Sequence, residues 1–173
     1  AAALRESIAT TLKYVPGSGG VPAWTLNNHD VHRAVSRYGL VRPVPMHTND
    51  VNALCLRARG AVDVALGTAR ARAAALLLLG LPGSIYLYQG EELALPEVQD
   101  LPPDARRDPI WTRSKGQEHG RDGSRVPLPW TAGGSSFGFS PPGAPRSWLP
   151  QPEWFAHYAV SDQLADPRST LNL

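Results

Sequence analysis

A long apolar helical segment lies between two short strand-like segments and limits the folds open to this chain. Residues 62–79 are rich in Ala and Leu, and the Gly-Leu-Pro-Gly run at 80–83 stops them in the way expected at a helix C-terminus. Residues 22–27 and 84–88 are rich in aromatic and other β-favouring side chains, so both are predicted to be strands, the second of them buried. Strand, helix and strand in this order favour an α/β fold with parallel strands.

The rest of the chain predicts further helices separated by irregular segments. Residues 4–14 have apolar side chains four apart on one face, and residues 31–38 are a turn or short helix. Residues 95–152 are rich in Pro and Gly with little periodicity, a length that is uncommon without a function. Residues 152–164 predict one amphipathic helix with three aromatic side chains, and residues 170–173 look like the start of a strand.

Composition excludes several classes of partner. The 173 residues carry a net charge of only +2, which gives no indication of nucleic acid or anionic membrane binding. The longest apolar run, 73–88, is too short to span a bilayer, and no signal peptide pattern is visible. Cys55 is the single cysteine, so no disulfide forms within the chain. This unpaired thiol is one of two grounds for expecting a cytoplasmic location, the other being the family branch, described below, that the chain resembles. The chain begins on Ala1 rather than Met, so we expect sequence upstream of it.

Several common catalytic signatures are absent from the sequence. The five histidines show no pair with the spacing of a zinc-binding helix. No Gly-x-Gly-x-x-Gly loop, Walker loop or Gly-x-Ser-x-Gly elbow occurs. These absences disfavour dehydrogenases, kinases and esterases. No cofactor is expected, with calcium in the complete protein left open.

The first candidate for chemistry is the sequence Asn28-His29-Asp30, which directly follows the first predicted strand. Barrel and open-sheet enzymes place their active sites at the carboxyl ends of parallel strands. A carboxylate beside an imidazole can bind sugar hydroxyls and stabilise a developing positive charge. The alternative is that Asp30 caps the next helical turn while His29 is an ordinary surface group.

Two other segments are candidates. Glu91 and Glu92 follow the second strand and could form a catalytic pair, as glycosidases use, or could accept hydrogen bonds from backbone N–H groups. Residues 120–130 (GRDGSRVPLPW) combine two arginines, an aspartate and a tryptophan, which suits recognition of a hydroxyl-rich ligand. In the alternative interpretation this is a solvated loop in which Arg121 pairs with Asp122.

These segments, in this order, resemble the α-amylase superfamily (glycoside hydrolase family 13), in particular its bacterial α-glucosidase and oligo-1,6-glucosidase branch. Residues 25–33 (TLNNHDVHR) resemble the last catalytic segment of the family, at the end of the seventh barrel strand. Residues 81–93 (LPGSIYLYQGEEL) resemble the eighth strand and its loop. The long loop after that strand is similar to residues 107–111 (RDPIW), 120–130 and 148–152 (WLPQP).

The resemblance covers essentially the whole chain and implies a partial (β/α)8 TIM barrel. Residues 1–168 would form the C-terminal part of the catalytic barrel, with strands seven and eight, their flanking helices and the long loop. Residues 169–173 would begin a truncated C-terminal β-domain.

The resemblance also implies roles for individual residues. Asp30 is the third acidic residue of the family's site, which holds substrate hydroxyls at subsite −1 and stabilises an oxocarbenium-like transition state. His29 and Asn28 bind the same glucose, and Arg121 helps to hold the glucose at the non-reducing end, which favours exo-acting cleavage. The two glutamates after the second strand match positions that are mainly structural.

The chain departs from the family in one respect. The family's nucleophile, an Asp, and its general acid/base, a Glu, should both precede Asn28, yet only Glu6 does, and Glu6 lies in a predicted helix. Retaining hydrolysis needs two carboxyl groups about 5–5.5 Å apart. The chain is therefore interpreted as a C-terminal fragment of a retaining α-glucosidase that acts on short oligosaccharides or disaccharides. On its own this fragment is expected to be inactive, and poorly soluble or only partly folded.

Three alternatives remain open at this point. The first is a trehalose synthase or a sucrose-type transglucosidase of the same superfamily. The second is a barrel relative without enzymatic activity, and the third is a gene remnant. Linkage specificity, oligomeric state and calcium dependence are not determined by these residues.

Overall fold

The computed structural model describes residues 2–41 and 61–173. Two three-residue strands, β1 (Ala23–Thr25) and β2 (Ser84–Tyr86), pair in parallel with Trp24 opposite Ile85. The indole Nε1 of Trp24 also donates a hydrogen bond of 2.9 Å to the Pro82 carbonyl, just before β2. Both predicted strands are therefore confirmed, each shorter than its sequence pattern.

The described residues form five α-helices and four short 3-10 segments. The helix Val64–Leu79 confirms the prediction at 62–79, and the helix Ala2–Gly17 confirms the prediction at 4–14. A short helix, Ala34–Tyr38, forms within 31–38. The α-helices are α1 (Ala2–Gly17), α2 (Ala34–Tyr38), α3 (Val64–Leu79), α4 (Pro109–Arg113) and α5 (Val160–Ala165). The 3-10 segments are Pro103–Ala105, Asp122–Ser124, Ser135–Gly138 and Glu153–Tyr158.

The helices between the strands are fixed by local chemistry. Asp63 caps α3, since its Oδ1 accepts the Leu66 N–H at 2.9 Å. Gly67 lies where α3 crosses α2, and a Cβ at that position would overlap the carbonyl oxygen of Val35. The two helices therefore approach each other closely at this point, and Arg33, just before α2, reaches the Gln89 carbonyl in the turn after β2.

The largest hydrophobic core lies under the long irregular segment rather than between the strands and helices. Phe155 at its centre is fully buried, and its ring packs against the ring of Trp154 with the centroids 4.8 Å apart. Residues 95–152 therefore form a packed loop with a core of its own, which holds residues 120–130 in place. The core consists of Leu93, Leu95, Val98, Leu101, Val126, Leu128, Leu149 and Phe155.

The predicted helix at 152–164 is wrong in one respect, because the chain breaks at Ala159 into a 3-10 segment and α5. The N–H groups of Val160 and Ser161 donate to the carbonyls of Pro129 and Trp130, at 3.1 and 3.0 Å. The ψ of Ala159, 135°, is non-helical, and this turns the chain toward these carbonyls. Contacts between distant segments therefore override the local helical pattern.

Two further expectations about the strands are corrected. Strand β2 was expected to be buried, but Tyr86 is 64% exposed, since β2 pairs only with β1 among the described residues and its side chains are left open. Residues 170–173 form turns rather than a strand, because Asn172 Nδ2 donates to the Gln163 and Asp166 carbonyls and folds the chain back on α5. The domain boundary at 168/169 stays a prediction.

None of the described helices is long and apolar enough to cross a membrane. Cys55 lies outside the described residues, so the structure does not test the interpretation placed on it.

Candidate active site at the carboxyl ends of the strands

The Asn-His-Asp sequence forms a tight turn a few residues beyond the end of β1. Asn28 Oδ1 accepts the backbone N–H of Asp30 at 2.8 Å, a local bond that fixes the direction of the aspartate. The Asp30 side chain is 48% exposed. Helix α2 begins after Arg33 with no side-chain cap, so the alternative role of Asp30 as a helix cap is wrong.

Two arginines from the long loop converge on one oxygen of Asp30. Asp30 Oδ1 accepts Nη1 of Arg121 at 2.8 Å and Nη2 of Arg125 at 3.0 Å. The other oxygen, Oδ2, lies 3.3 Å from Nε2 of His29. Two segments that sequence analysis selected separately, 28–30 and 120–130, therefore meet at one site.

Arg121 also pairs with Asp108, a residue to which sequence analysis gave no role. The Asp108 side chain is fully buried, and its Oδ2 accepts both the backbone N–H and Nε of Arg121, at 2.8 and 2.7 Å. Its Oδ1 accepts Nη2 of Arg121 at 3.2 Å and the backbone N–H of Ile110 at 3.0 Å. Arg121 thus pairs with Asp30 and Asp108, not with Asp122 as the alternative interpretation of the loop had it.

Asp122 instead holds the chain at Asp108. Its Oδ2 accepts the backbone N–H groups of Arg107 and Asp108, at 2.7 and 2.9 Å, and the residue is 3% exposed. The Asp-Pro sequence at 108–109 could have identified Asp108 as a helix cap. No local pattern predicts its pairing with Arg121, because that pairing depends on how the loop folds back.

The charges of this cluster keep its carboxylates ionised. Burial acts to raise the pKa of Asp30, but the hydrogen bond from Arg121 and the nearby charges of His29, Arg121 and Arg125 lower that pKa below its ordinary value. Burial also opposes ionisation of Asp108, yet the hydrogen bonds from Arg121 and from the Ile110 N–H lower its pKa to about 2. The Asp108 hydrogen bond in turn raises the pKa of Arg121. At neutral pH Asp30 is an anion available to a ligand.

The two glutamates after β2 have structural roles, as the family resemblance implied. Glu91 Oε2 accepts the backbone N–H of Tyr88 at 3.1 Å, and Glu92 Oε2 accepts the backbone N–H of Gly90 at 2.8 Å. Both therefore shape the turn that follows β2.

Arg33 ties together the segments that form the site. Its Nη1 donates to the Gln89 carbonyl at 2.7 Å, and its Nη2 donates to the Ser124 carbonyl at 2.9 Å. Its backbone N–H donates to Oε2 of Glu97 at 3.0 Å. Arg33 is 3% exposed, and it holds the turn after β2 and the arginine-bearing loop next to the Asn-His-Asp turn. Arg33 belongs to the 25–33 motif, but no feature of that motif predicts this role.

Glu97 makes the stability of this region depend on pH. Complete burial raises the pKa of Glu97 to about 7, against the opposing effects of the Arg33 N–H bond and nearby arginine charges. The folded state therefore binds more protons than the unfolded state between about pH 4.5 and pH 7, so the free energy of unfolding falls as the pH rises through that window. A shift of this size corresponds to at most about 3 kcal/mol.

We expect Glu97→Gln to remove this pH dependence, because glutamine can accept the same N–H without a buried charge. In the complete protein that carries this chain, the substitution should raise the free energy of unfolding by about 1–3 kcal/mol at pH 8 and change it little at pH 5. Urea unfolding at both pH values measures this, with the exposed Glu153→Gln as control. Equal pH slopes in the Glu97→Gln variant and the natural protein would contradict the assignment.

Among the described residues, no group of three or more His, Cys, Asp or Glu side chains is arranged to hold a metal ion. The expectation that the protein needs no cofactor stays a prediction.

Comparison with known proteins supports the resemblance found in the sequence. The sequence model of the α-amylase catalytic domain matches residues 1–173. A probable α-glucosidase of Rhizobium meliloti is 34% identical over 153 residues, which cover 88% of this chain and 23% of that protein. A salivary α-glucosidase of Anopheles gambiae is 31% identical over 160 residues, or 89% of this chain and 21% of that protein.

Among solved structures, the crystal structure of an α-glucosyl transfer enzyme, XgtA, superposes with a TM-score of 0.68 at 33% identity. The match covers 98% of this chain and 26% of that enzyme. The chain thus spans about a quarter of the length of the proteins it matches.

Proposed function

Because the chain belongs to the α-amylase catalytic-domain family, glycoside hydrolase family 13, we propose that it forms part of a retaining α-glucosidase. The substrates would be short oligosaccharides or disaccharides from which terminal α-linked glucose is removed. The observation that carries this proposal is the convergence of Arg121 and Arg125 on Asp30 beyond the end of β1. An ionised carboxylate held by two cations and half open to solvent suits the binding of sugar hydroxyls next to a developing positive charge.

Asp30 is the catalytic residue that this chain contributes. Its Oδ1 already accepts two arginine N–H groups, so Oδ2, beside His29, is the oxygen that receives substrate hydroxyls at subsite −1. Its negative charge stabilises the oxocarbenium-like transition state through electrostatic attraction. Arginines that hold the carboxylate ionised keep it from taking up a proton during the reaction.

The remaining site residues bind the same glucose. His29 and Asn28 are exposed beside Asp30, within the same turn. Arg121 is 30% exposed where its Nη1 meets Asp30, and it helps to hold the glucose at the non-reducing end, which favours exo-acting cleavage.

The family fold is a (β/α)8 barrel, and nearly all of this chain matches about a quarter of the XgtA structure. We assign β1 and β2 to the seventh and eighth strands of the barrel, with residues 95–152 as the long loop that follows. The parallel pairing of the strands, with helices between them, supports this assignment.

The nucleophile and the general acid/base come from outside this sequence. Retaining hydrolysis through a covalent glucosyl-enzyme requires both, about 5–5.5 Å apart across the scissile bond. At the described site Asp30 is the carboxylate that faces solvent, whereas Asp108 and Asp122 are buried and engaged by N–H donors. The chain alone is therefore inactive in this proposal, which also includes a cytoplasmic location and no nucleic-acid or membrane partner.

Glucosyl transfer is the second candidate activity. The similarity to XgtA, at 33% identity, is the observation that favours it. Hydrolysis and transfer share the glucosyl-enzyme and differ in whether water or a sugar hydroxyl accepts the glucose.

The complete protein should release nitrophenol from 4-nitrophenyl α-glucoside, with α-glucose as the first product in proton NMR. In hydrolysis, glucose and nitrophenol form in equal amounts. In transfer, added maltose lowers the glucose without lowering the nitrophenol. No release of nitrophenol would reject both activities and favour a relative without enzymatic activity or a gene remnant.

A further inference from the structure

Arg121 is held in one orientation by a carboxylate that the proposed reaction does not use. A guanidinium has five N–H donors in a fixed plane, and a bidentate carboxylate fixes that plane. Nε and Nη2 of Arg121 both bond to Asp108, at 2.7 and 3.2 Å, which leaves Nη1 directed at Asp30 Oδ1 at 2.8 Å. Asp108, on the opposite edge of the guanidinium, thus sets the direction of the hydrogen bond from Arg121 to Asp30.

Asp108 is itself built into the loop. Asp122 accepts the backbone N–H groups of residues 107 and 108, which fixes the backbone under Asp108. Gly120 has a φ of +68°, and a Cβ there would lie 2.9 Å from the Cβ of Asp108. The chain therefore approaches Asp108 more closely at this point than a larger residue at position 120 would permit.

We propose that Asp108 is a positioning residue for Asp30, acting through Arg121, and that Asp122 holds Asp108 in place for this task. The inference rests on the proposed function for its kinetic consequence. A guanidinium released from Asp108 can turn and reach Oδ2 of Asp30, the oxygen that substrate hydroxyls need. By holding Arg121 on Oδ1, Asp108 leaves Oδ2 open.

Charge leads to the same conclusion. Asp108 offsets part of the positive charge of Arg121. Asp30 therefore interacts with two arginines, one of which is also paired with a second carboxylate. Without Asp108, the full charges of both arginines attract Asp30. The arginines then bind its carboxylate more tightly and compete with substrate hydroxyls for it. Asp108 thus controls both the direction and the strength of the arginine–aspartate contact.

The test uses Asp108→Asn in the complete protein. Asparagine keeps an oxygen for the Ile110 N–H, so the start of α4 stays capped, but its amide cannot accept Nε and the backbone N–H of Arg121 together. We expect kcat/KM for 4-nitrophenyl α-glucoside to fall about 10- to 100-fold. The matched control is Asp104→Asn, the same change at an exposed position of the preceding 3-10 segment, with an expected change below about twofold.

A double-mutant cycle separates positioning from a general loss of structure. If Asp108 acts through Arg121, the Asp108→Asn change should cost less than about twofold once Arg121→Gln is present. Full additivity of the two losses, or an Asp108→Asn variant as active as Asp104→Asn, would overturn the proposal. If Asp108→Asn does not fold, Asp122→Asn replaces it in the same cycle, with the same expected coupling to Arg121.

A readout independent of turnover keeps this proposal distinct from the proposed function. In a crystal structure of the complete Asp108→Asn protein, Arg121 should still contact Asp30, but at Oδ2, with Nη1 no longer within hydrogen-bond distance of Oδ1. Persistence of the Nη1–Oδ1 contact at about 2.8 Å would overturn the positioning role even in a protein that cleaves no glucoside. An inactive natural protein would reject the proposed function alone.

Discussion

Asp30→Asn in the complete enzyme should lower kcat for 4-nitrophenyl α-glucoside at least about 10²- to 10³-fold. The amide has nearly the shape of the carboxylate but no negative charge, so it cannot stabilise the oxocarbenium-like transition state. The arginines make the effect larger, because two cations that now face a neutral group repel the developing positive charge. Steady-state kinetics of the purified variant measure the change.

The pattern of the kinetic loss is part of this expectation. In the ground state the substrate is still bound by His29, Asn28 and Arg121, so KM should change much less than kcat. Asp104→Asn serves again as the control for a lost surface charge. An Asp30→Asn enzyme within about tenfold of the natural kcat would be inconsistent with Asp30 as a transition-state residue.

The isolated 173-residue chain should show neither turnover nor a cooperative thermal transition. Turnover fails because Asp30 is the accessible carboxylate of the described site, and retaining hydrolysis needs two further ones. Cooperativity fails because much apolar surface is open. Helix α1 has no buried residue, and Leu77, Leu79 and Leu87 are 41–54% exposed.

Strands β1 and β2 add to this instability, because within the described residues each pairs only with the other and leaves an open edge. Circular dichroism on heating, together with dye binding to exposed apolar surface, measures the expected behaviour. A purified monomer with a sharp melting transition, or one that cleaves the nitrophenyl glucoside, would be the contrary result.

The features of the fold that depend on neighbouring residues are predictable from the sequence. The Asn-His-Asp turn follows a strand as expected, and α3 ends at the Gly-Leu-Pro-Gly run, because propensity, caps and breakers are local. Where distant segments meet, local patterns were insufficient. The break at Ala159 is caused by carbonyls about thirty residues away, and no window of sequence reports their position.

The same distinction applies to the site. Family resemblance selected Asp30 and Arg121, and the structure brings them together at 2.8 Å. The buried carboxylates and Arg33 were missed, since a buried charge is recognised by its partners, and these lie 13 residues away for Asp108 and 56–91 residues away for Arg33. Polar residues in loops with no periodicity show no sign of burial in the sequence alone.

The coding DNA upstream of Ala1 determines whether this chain contributes to a working glucosidase site. We expect an open reading frame, continuous with Ala1, that encodes an aspartate in an Arg-x-Asp strand and a glutamate at the end of a later strand. These two carboxylates, with Asp30, would complete the set that retaining hydrolysis needs. A stop codon or frame break just upstream, or an upstream frame without both carboxylates, would contradict the assignment of this chain to an active enzyme.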